Sequence, residues 1–146
     1  MKGLNTFGCK INGKAWIPDG MPAGQSPFGK RIEVEFYRSK ADTFYLLIHT
    51  SASTKDRVQL LLPKATIGVN VVTGWEPNSL GLAVYYDANF RHFYSYGPNA
   101  GKVVITRLDT INRIISGTFE FEGQEILQKQ TVSITEGRFD LNLNDL

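Results

Sequence analysis

Cysteine, histidine and net charge are the scarce quantities in this 146-residue chain, and each scarcity removes a class of function. The single cysteine, Cys9, excludes an intrachain disulfide and a thiolate-rich zinc site. Two histidines, His49 and His92, leave few bases for a metal cluster or a catalytic triad. Sixteen Lys and Arg against fourteen Asp and Glu give a net charge of +2, too small to call for nucleic acid or an anionic bilayer as partner. No run approaches the roughly 20 apolar residues of a membrane-spanning helix, so no membrane insertion is expected. Met1 to Lys10 lack the apolar core of a signal peptide, so the chain is expected to be cytoplasmic or to have lost a leader.

Helical periodicity is nearly missing as well. In its place, apolar and polar residues alternate with period two between turn residues, the pattern of short antiparallel strands. With 42% apolar and 21% charged residues, the composition predicts one globular all-β domain, residues 1–146.

The turn chemistry sets the expected boundaries. Asn12-Gly13 best tolerates the positive φ angles of a type I′ turn, so Phe7 to Ile11 and Lys14 to Ile17 form an opening hairpin. Pro18 to Gly29 carries three prolines and three glycines and reads as a surface loop. Arg31 to Tyr37 sets Ile32, Val34 and Phe36 against Arg31, Glu33 and Glu35, a strand with one wet face. Thr43 to Thr50 and Arg57 to Leu62 follow as more apolar strands, joined by the turn Ser51 to Asp56. A short strand at Val69 to Thr73 precedes an exposed turn at Gly74 to Ser79. Leu80 to Asp87 and Phe90 to Tyr96 form a further hairpin. Lys102 to Asp109, Arg113 to Glu122 and Ile126 to Leu143 complete the chain. In the last of these, Val132 and Ile134 fall on one parity and Phe139, Leu141 and Leu143 on the other. A bulge at Glu136-Gly137 would bring both sets to one core. About ten strands result, which predicts an antiparallel β-sandwich, with a closed or partly open antiparallel β-barrel as the alternative.

Three segments, FGCKINGKAW, ITRLDTINRIISGTFEFEG and VSITEGRFDLNL, stand in an order and spacing that resemble a known family. It is a family of small all-β domains of unknown function found in predicted secreted lipoproteins of Bacteroidota. The resemblance implies an extracytoplasmic address at the cell envelope or outer membrane, with a lipid anchor upstream, and it carries over no catalytic residue. Cys9 itself falls short of a lipid-attachment motif, because Phe7 stands where a small residue belongs; it reads as a buried strand residue.

Candidate chemistry is sparse. No GxSxG elbow occurs, and His49, alternating with Tyr45 and Leu47, reads as a hydrogen-bonded strand residue in preference to a base. Glu33 with Glu35, and Glu120 with Glu122, are spaced as wet strand faces more than as glycosidase pairs. Asp87 with Asn89, and Asp140 with Asn142, Asn144 and Asp145, offer oxygens to calcium but miss the EF-hand spacing. The alternation of Asp140, Asn142 and Asn144 with Leu141 and Leu143 reads as a wet face. No cofactor and no metal are expected.

The rings are more informative. In LGLAVYYDANFRHFYSYG, a three-residue loop Asp87-Ala88-Asn89 with Asn89 left-handed puts Leu82, Val84, Tyr86, Phe90, His92, Tyr94 and Tyr96 on a core face. Asp87, Arg91 and Ser95 then share a wet face. A two-residue loop Ala88-Asn89 would slip the register and place Tyr94 and Tyr96 beside Ala83 and Gly81, on the face of Tyr85 and His92. Trp75, between Gly74 and Pro77, is either a lid on the core or a binding contact, and Trp16 is expected in the core.

These readings converge on a non-enzymatic binding or adhesion module for a glycan, peptide or partner protein. Its candidate contacts are Trp75, Tyr85, Arg91, His92, Tyr94 and Tyr96. A β-barrel carrier of a small apolar ligand is the alternative, and an enzyme with an unrecognised site ranks below both. Rings beside Arg91 also suit single-stranded nucleic acid, which the balanced charge argues against.

Overall fold

The computed structural model describes residues 3–20, 30–74, 80–125, 127 and 129–146. They form eleven strands: β1 (Thr6–Ile11), β2 (Lys14–Trp16), β3 (Ile32–Arg38), β4 (Phe44–Ser51), β5 (Arg57–Ala65), β6 (Gly68–Val71), β7 (Leu82–Tyr86), β8 (His92–Ser95), β9 (Gly101–Asp109), β10 (Ile114–Gln124) and β11 (Thr131–Asn142). All belong to one strongly curled antiparallel sheet. No helix among the described residues is long and apolar enough to cross a membrane.

Local chemistry accounts for the turns. Asn12 and Gly13 take φ of 49° and 83° and set Ile11 opposite Lys14, as the type I′ expectation requires. Glu136 takes φ of 51° before Gly137, and the β10 register steps from Phe119↔Gly137 to Phe121↔Ile134. This is the expected bulge, and it buries Val132, Ile134, Phe139 and Leu141 in the same core. A Cβ on Gly137 would stand 2.6 Å from the Phe119 ring, so the bulge also lets that ring lie flat on the backbone.

The sheet runs β2-β1-β11-β10-β8-β7-β5-β4-β3 and forks at β10. Along a single edge of β10, Ile114 to Phe121 pair with β9, and Gly123 and Gln124 pair with β8. The chain leaves that edge at Tyr96 and returns at Ala100, whose carbonyl accepts the Glu122 N–H at 2.8 Å. One branch continues through β9 to β6, the other through β8 to β7, β5, β4 and β3. The curl folds them over one core, in which Leu46, Ile48, Val58, Leu60 and Phe93 meet Phe7, Phe119, Phe139 and Leu141. Fully burying each such side chain contributes about 1.5–3 kcal/mol.

The fold revises three expectations. The last strand begins at Thr131, well after Ile126, which lies outside the described residues. Asp140 is buried, not on a wet face. The N–H of Gly3 donates to both its carboxylate oxygens at 2.9 and 3.0 Å, and the N–H of Leu4 at 3.2 Å. The Ser116 hydroxyl donates to it as well, at 2.6 Å. The third concerns the β7–β8 hairpin. Its pairs are Tyr86↔His92, Tyr85↔Phe93 and Val84↔Tyr94. The loop has three residues but is shifted by one: Asp87 N–H bonds the Arg91 carbonyl, and Phe90, not Asn89, takes the left-handed conformation with φ of 63°. The Asp87 carboxylate causes this by accepting the N–H groups of both Asn89 and Arg91 at 2.9 Å. Leu82, Val84, Tyr86, His92 and Tyr94 do share a face, and Leu82 and Val84 are buried on it. The main core cluster, however, lies on the other face, with Ala83 and Phe93, and Phe90, His92 and Tyr96 are exposed.

Candidate functional site

Strands β3, β4, β5, β7 and β8 send alternate side chains inward to the core, so the intervening residues form an outer face, on which Ser51, Leu82 and Val84 are themselves buried. The pairing lines them up in rows. Glu33 stands opposite His49, His49 opposite Gln59, Gln59 opposite Val84, and Val84 opposite Tyr94. The neighbouring row runs Ser51, Arg57, Tyr86 and His92. On the other side lies Glu35, Leu47, Leu61 and Leu82.

Side chains within these rows are bonded to one another. Gln59 Oε1 lies 3.4 Å from His49 Nδ1 and accepts the Tyr86 hydroxyl at 3.4 Å. Because an amide oxygen only accepts, Nδ1 carries the histidine proton and Nε2 faces the Ser51 hydroxyl at 3.5 Å. Burial lowers the basicity of His49, which the Gln59 contact only partly offsets and the Arg57 charge reinforces. The imidazole is therefore held neutral. Ser51 is 0% exposed, so its hydroxyl is shut off from solvent.

The rings cluster at one end of the face. Tyr86 and His92 meet edge to face at 4.7 Å between centroids, and His92 and Tyr94 do so at 5.8 Å. The Tyr94 hydroxyl lies 2.8 Å from His92 Nδ1. The Arg57 guanidinium sits 4.6 Å from the Tyr86 centroid and 5.8 Å from that of Phe90. At the far end Tyr37 and Tyr45 stack at 4.7 Å. An open depression of about 650 Å³ is lined by Leu47, His49, Gln59 and Tyr86 of this face, by the inward-facing Ile32 and Val34, and by Leu143 and Leu146.

Of the six candidate binding contacts named from the sequence, only His92 and Tyr94 come together here among the described residues, on the face that also carries His49, Glu33 and Glu35. Tyr85 points to the opposite side, 5.8 Å from Phe93, with its hydroxyl 3.4 Å from Asp56. Burial and that carboxylate push its pKa up. Arg91 is tied to Asp87 at 2.6 Å and to Gln130 at 2.6 Å. Tyr96 is exposed just past the end of β8. Trp75 lies outside the described residues. Trp16 packs partly buried on the core, edge-on to Phe7. Cys9 is buried, and burial with the Asp56 charge pushes its thiol up to about 12. No group of three or more His, Cys, Asp or Glu among the described residues is placed to hold a metal ion.

Sequence reasoning missed His49, Arg57, Gln59 and Tyr86 as members of one site. The signal was there: once the Ser51 to Asp56 turn pairs Ser51 with Arg57, His49 must stand opposite Gln59.

Among comparisons with known proteins, a family model described as a domain of unknown function matches residues 31–140, from the entry to β3 into β11. No curated protein and no solved structure matches.

Proposed function

The chain belongs to that family, DUF6252, and from this premise we propose that it is a non-catalytic binding module that holds a glycan on the outer face of β3, β4, β5, β7 and β8. The observation that carries the reading is the Tyr86–His92–Tyr94 ring cluster set directly beside the bonded His49–Gln59 pair. Sugars present apolar C–H faces, which pack on rings, and hydroxyls that both donate and accept. A tyrosine hydroxyl, a carboxamide and a neutral imidazole answer both demands. The groups stand on sheet backbone, so little entropy is lost in ordering them on binding.

A surface site is favoured over an internal carrier because the inward rings pack on one another. Phe7 and Phe119 stand 5.0 Å apart, and Phe119 and Phe139 6.3 Å apart, filling the space a ligand would need. In the same reading the curled sheet is an open sandwich and not a barrel. The module acts outside the cytoplasm, the address that the sequence resemblance implies.

Binding of the protein to arrayed oligosaccharides and peptides tests this. Saturable binding to an oligosaccharide class, lost in Tyr94→Ala and kept in a substitution of exposed Ile111, supports it. Binding to peptides alone, or sugar binding indifferent to Tyr94 and His92, overturns it.

A further inference from the structure

We propose that the outer face contains an oxyanion site centred on Arg57, so that the glycan it takes carries a carboxylate. This deepens the glycan reading and rests on it.

Arg57 lies at the start of β5, between Ser51 of β4 and Tyr86 of β7. Its guanidinium is permanently charged and carries five N–H donors in a planar fork. Tyr86 and Phe90 flank it, yet among the described residues no carboxylate lies within ion-pairing distance. Its Nε is buried and, among the described residues, has no acceptor. A buried charged donor without an acceptor is costly, and structures normally satisfy such groups. The other arginines near this hairpin and in β9 show the contrast, for Arg91 is paired with Asp87 and Arg107 with Asp109. Arg57 is flanked by rings, and among the described residues its charge has no carboxylate partner.

The surroundings favour an oxyanion of low charge. Lys30, Arg57 and Arg113 line the depression with Glu33 and Glu35, three positive groups against two negative. His49 adds no charge while it is neutral. With acidic side chains interleaved among the basic ones, the surroundings disfavour a polyanion. A carboxylate also matches the guanidinium fork in two parallel bonds. Tyr86 places a ring beside the same guanidinium, so the sugar bearing the carboxylate would meet that ring as its acid group meets Arg57.

The test uses oligosaccharides of several sugar classes, each as free acid, methyl ester and sulfate ester, titrated into the protein. The free acid is expected to bind about 10- to 100-fold more tightly than its ester, the range for a hydrogen bond to a charged group. Arg57→Gln should erase the difference, and Arg57→Lys, which keeps the charge but loses the fork, should restore part of it. Urea midpoints of both variants separate lost binding from lost folding. Equal binding of acid and ester, or an acid preference that survives Arg57→Gln in a folded protein, overturns the proposal and leaves the glycan reading standing. Preference for the sulfate ester overturns the carboxylate assignment. No binding of any form overturns both.

Discussion

Replacing Asp140 by alanine should cost about 3 kcal/mol, because one buried carboxylate ties the residues before β1 to the two longest strands. Its donors include the Gly3 N–H shared between both oxygens, the Leu4 N–H and the Ser116 hydroxyl. After truncation the Leu4 N–H can reach water, since Leu4 is exposed, and loses about 1 kcal/mol of net bond strength. Gly3 is buried, and its orphaned N–H costs about 1 kcal/mol or more. Ser116 is fully buried and has no such recourse, so orphaning its hydroxyl adds about 1 kcal/mol or more. For a chain of this size, about 3 kcal/mol lowers Tm by roughly 6–12 °C. Ser116→Ala removes one donor but leaves the carboxylate its two N–H partners, and should cost only about 1 kcal/mol. The assay is urea denaturation of wild type, both single variants and the double variant, with amide exchange of Gly3 and Leu4 followed in parallel. A loss below about 1 kcal/mol in Asp140→Ala, or a Ser116→Ala loss as large as that of Asp140→Ala, would refute the reasoning.

Gly117→Ala should destabilise by about 1–3 kcal/mol, as overpacking does, because its Cβ would stand 2.3 Å from the Val104 carbonyl oxygen and 2.7 Å from Phe139 Cζ. A denaturation midpoint unchanged from wild type would show that the strands can part at no cost. The lowered basicity of His49 makes stability pH-dependent with a definite sign: the unfolded chain takes up a proton at the ordinary value of 6.5, and the folded one only below it. Stability contributed by the neutral imidazole is therefore full above pH 6.5 and falls as pH drops through the folded value; His49→Gln should remove that part of the slope in urea midpoints between pH 8 and 5. Cys9, buried and with its thiol pushed up to about 12, should resist iodoacetamide at pH 8 in the native state and react once the chain is unfolded in urea. Comparable rates in the two states would contradict the burial.

Where the chain dictates geometry locally, its residues state it openly. Asn12-Gly13 announces a positive-φ pair, and the change of parity between Ile134 and Phe139 demands an extra residue, which Glu136-Gly137 supplies. What pairing partners decide is harder to see. Tyr86, His92 and Tyr94 are amphipathic, so their alternation with Ala83, Tyr85 and Phe93 does not say which set faces the core; the inward curl of β7 and β8 toward β10 decides it. Asp140 alternates with leucines like a wet residue, yet the segment at Gly3 and Leu4 covers that side of β11 and turns the carboxylate into an internal acceptor. The site itself joins residues from separate hairpins, with Glu33 and His49 from one and Tyr86, His92 and Tyr94 from another. Arg57 and Gln59 of β5 lie between them, and only the sheet order brings these together.

The most direct test of the central claim is an NMR titration of the protein, with the histidine and tyrosine rings and the arginine side chains isotopically labelled, against the oligosaccharide class that binds best on the array. The account predicts saturable shifts at Arg57, Tyr86, His92 and Tyr94, with inward-facing Tyr85 unmoved. Shifts at Tyr85 or Arg107 with the Arg57, His92 and Tyr94 signals left in place would put the ligand elsewhere on the sheet and contradict it.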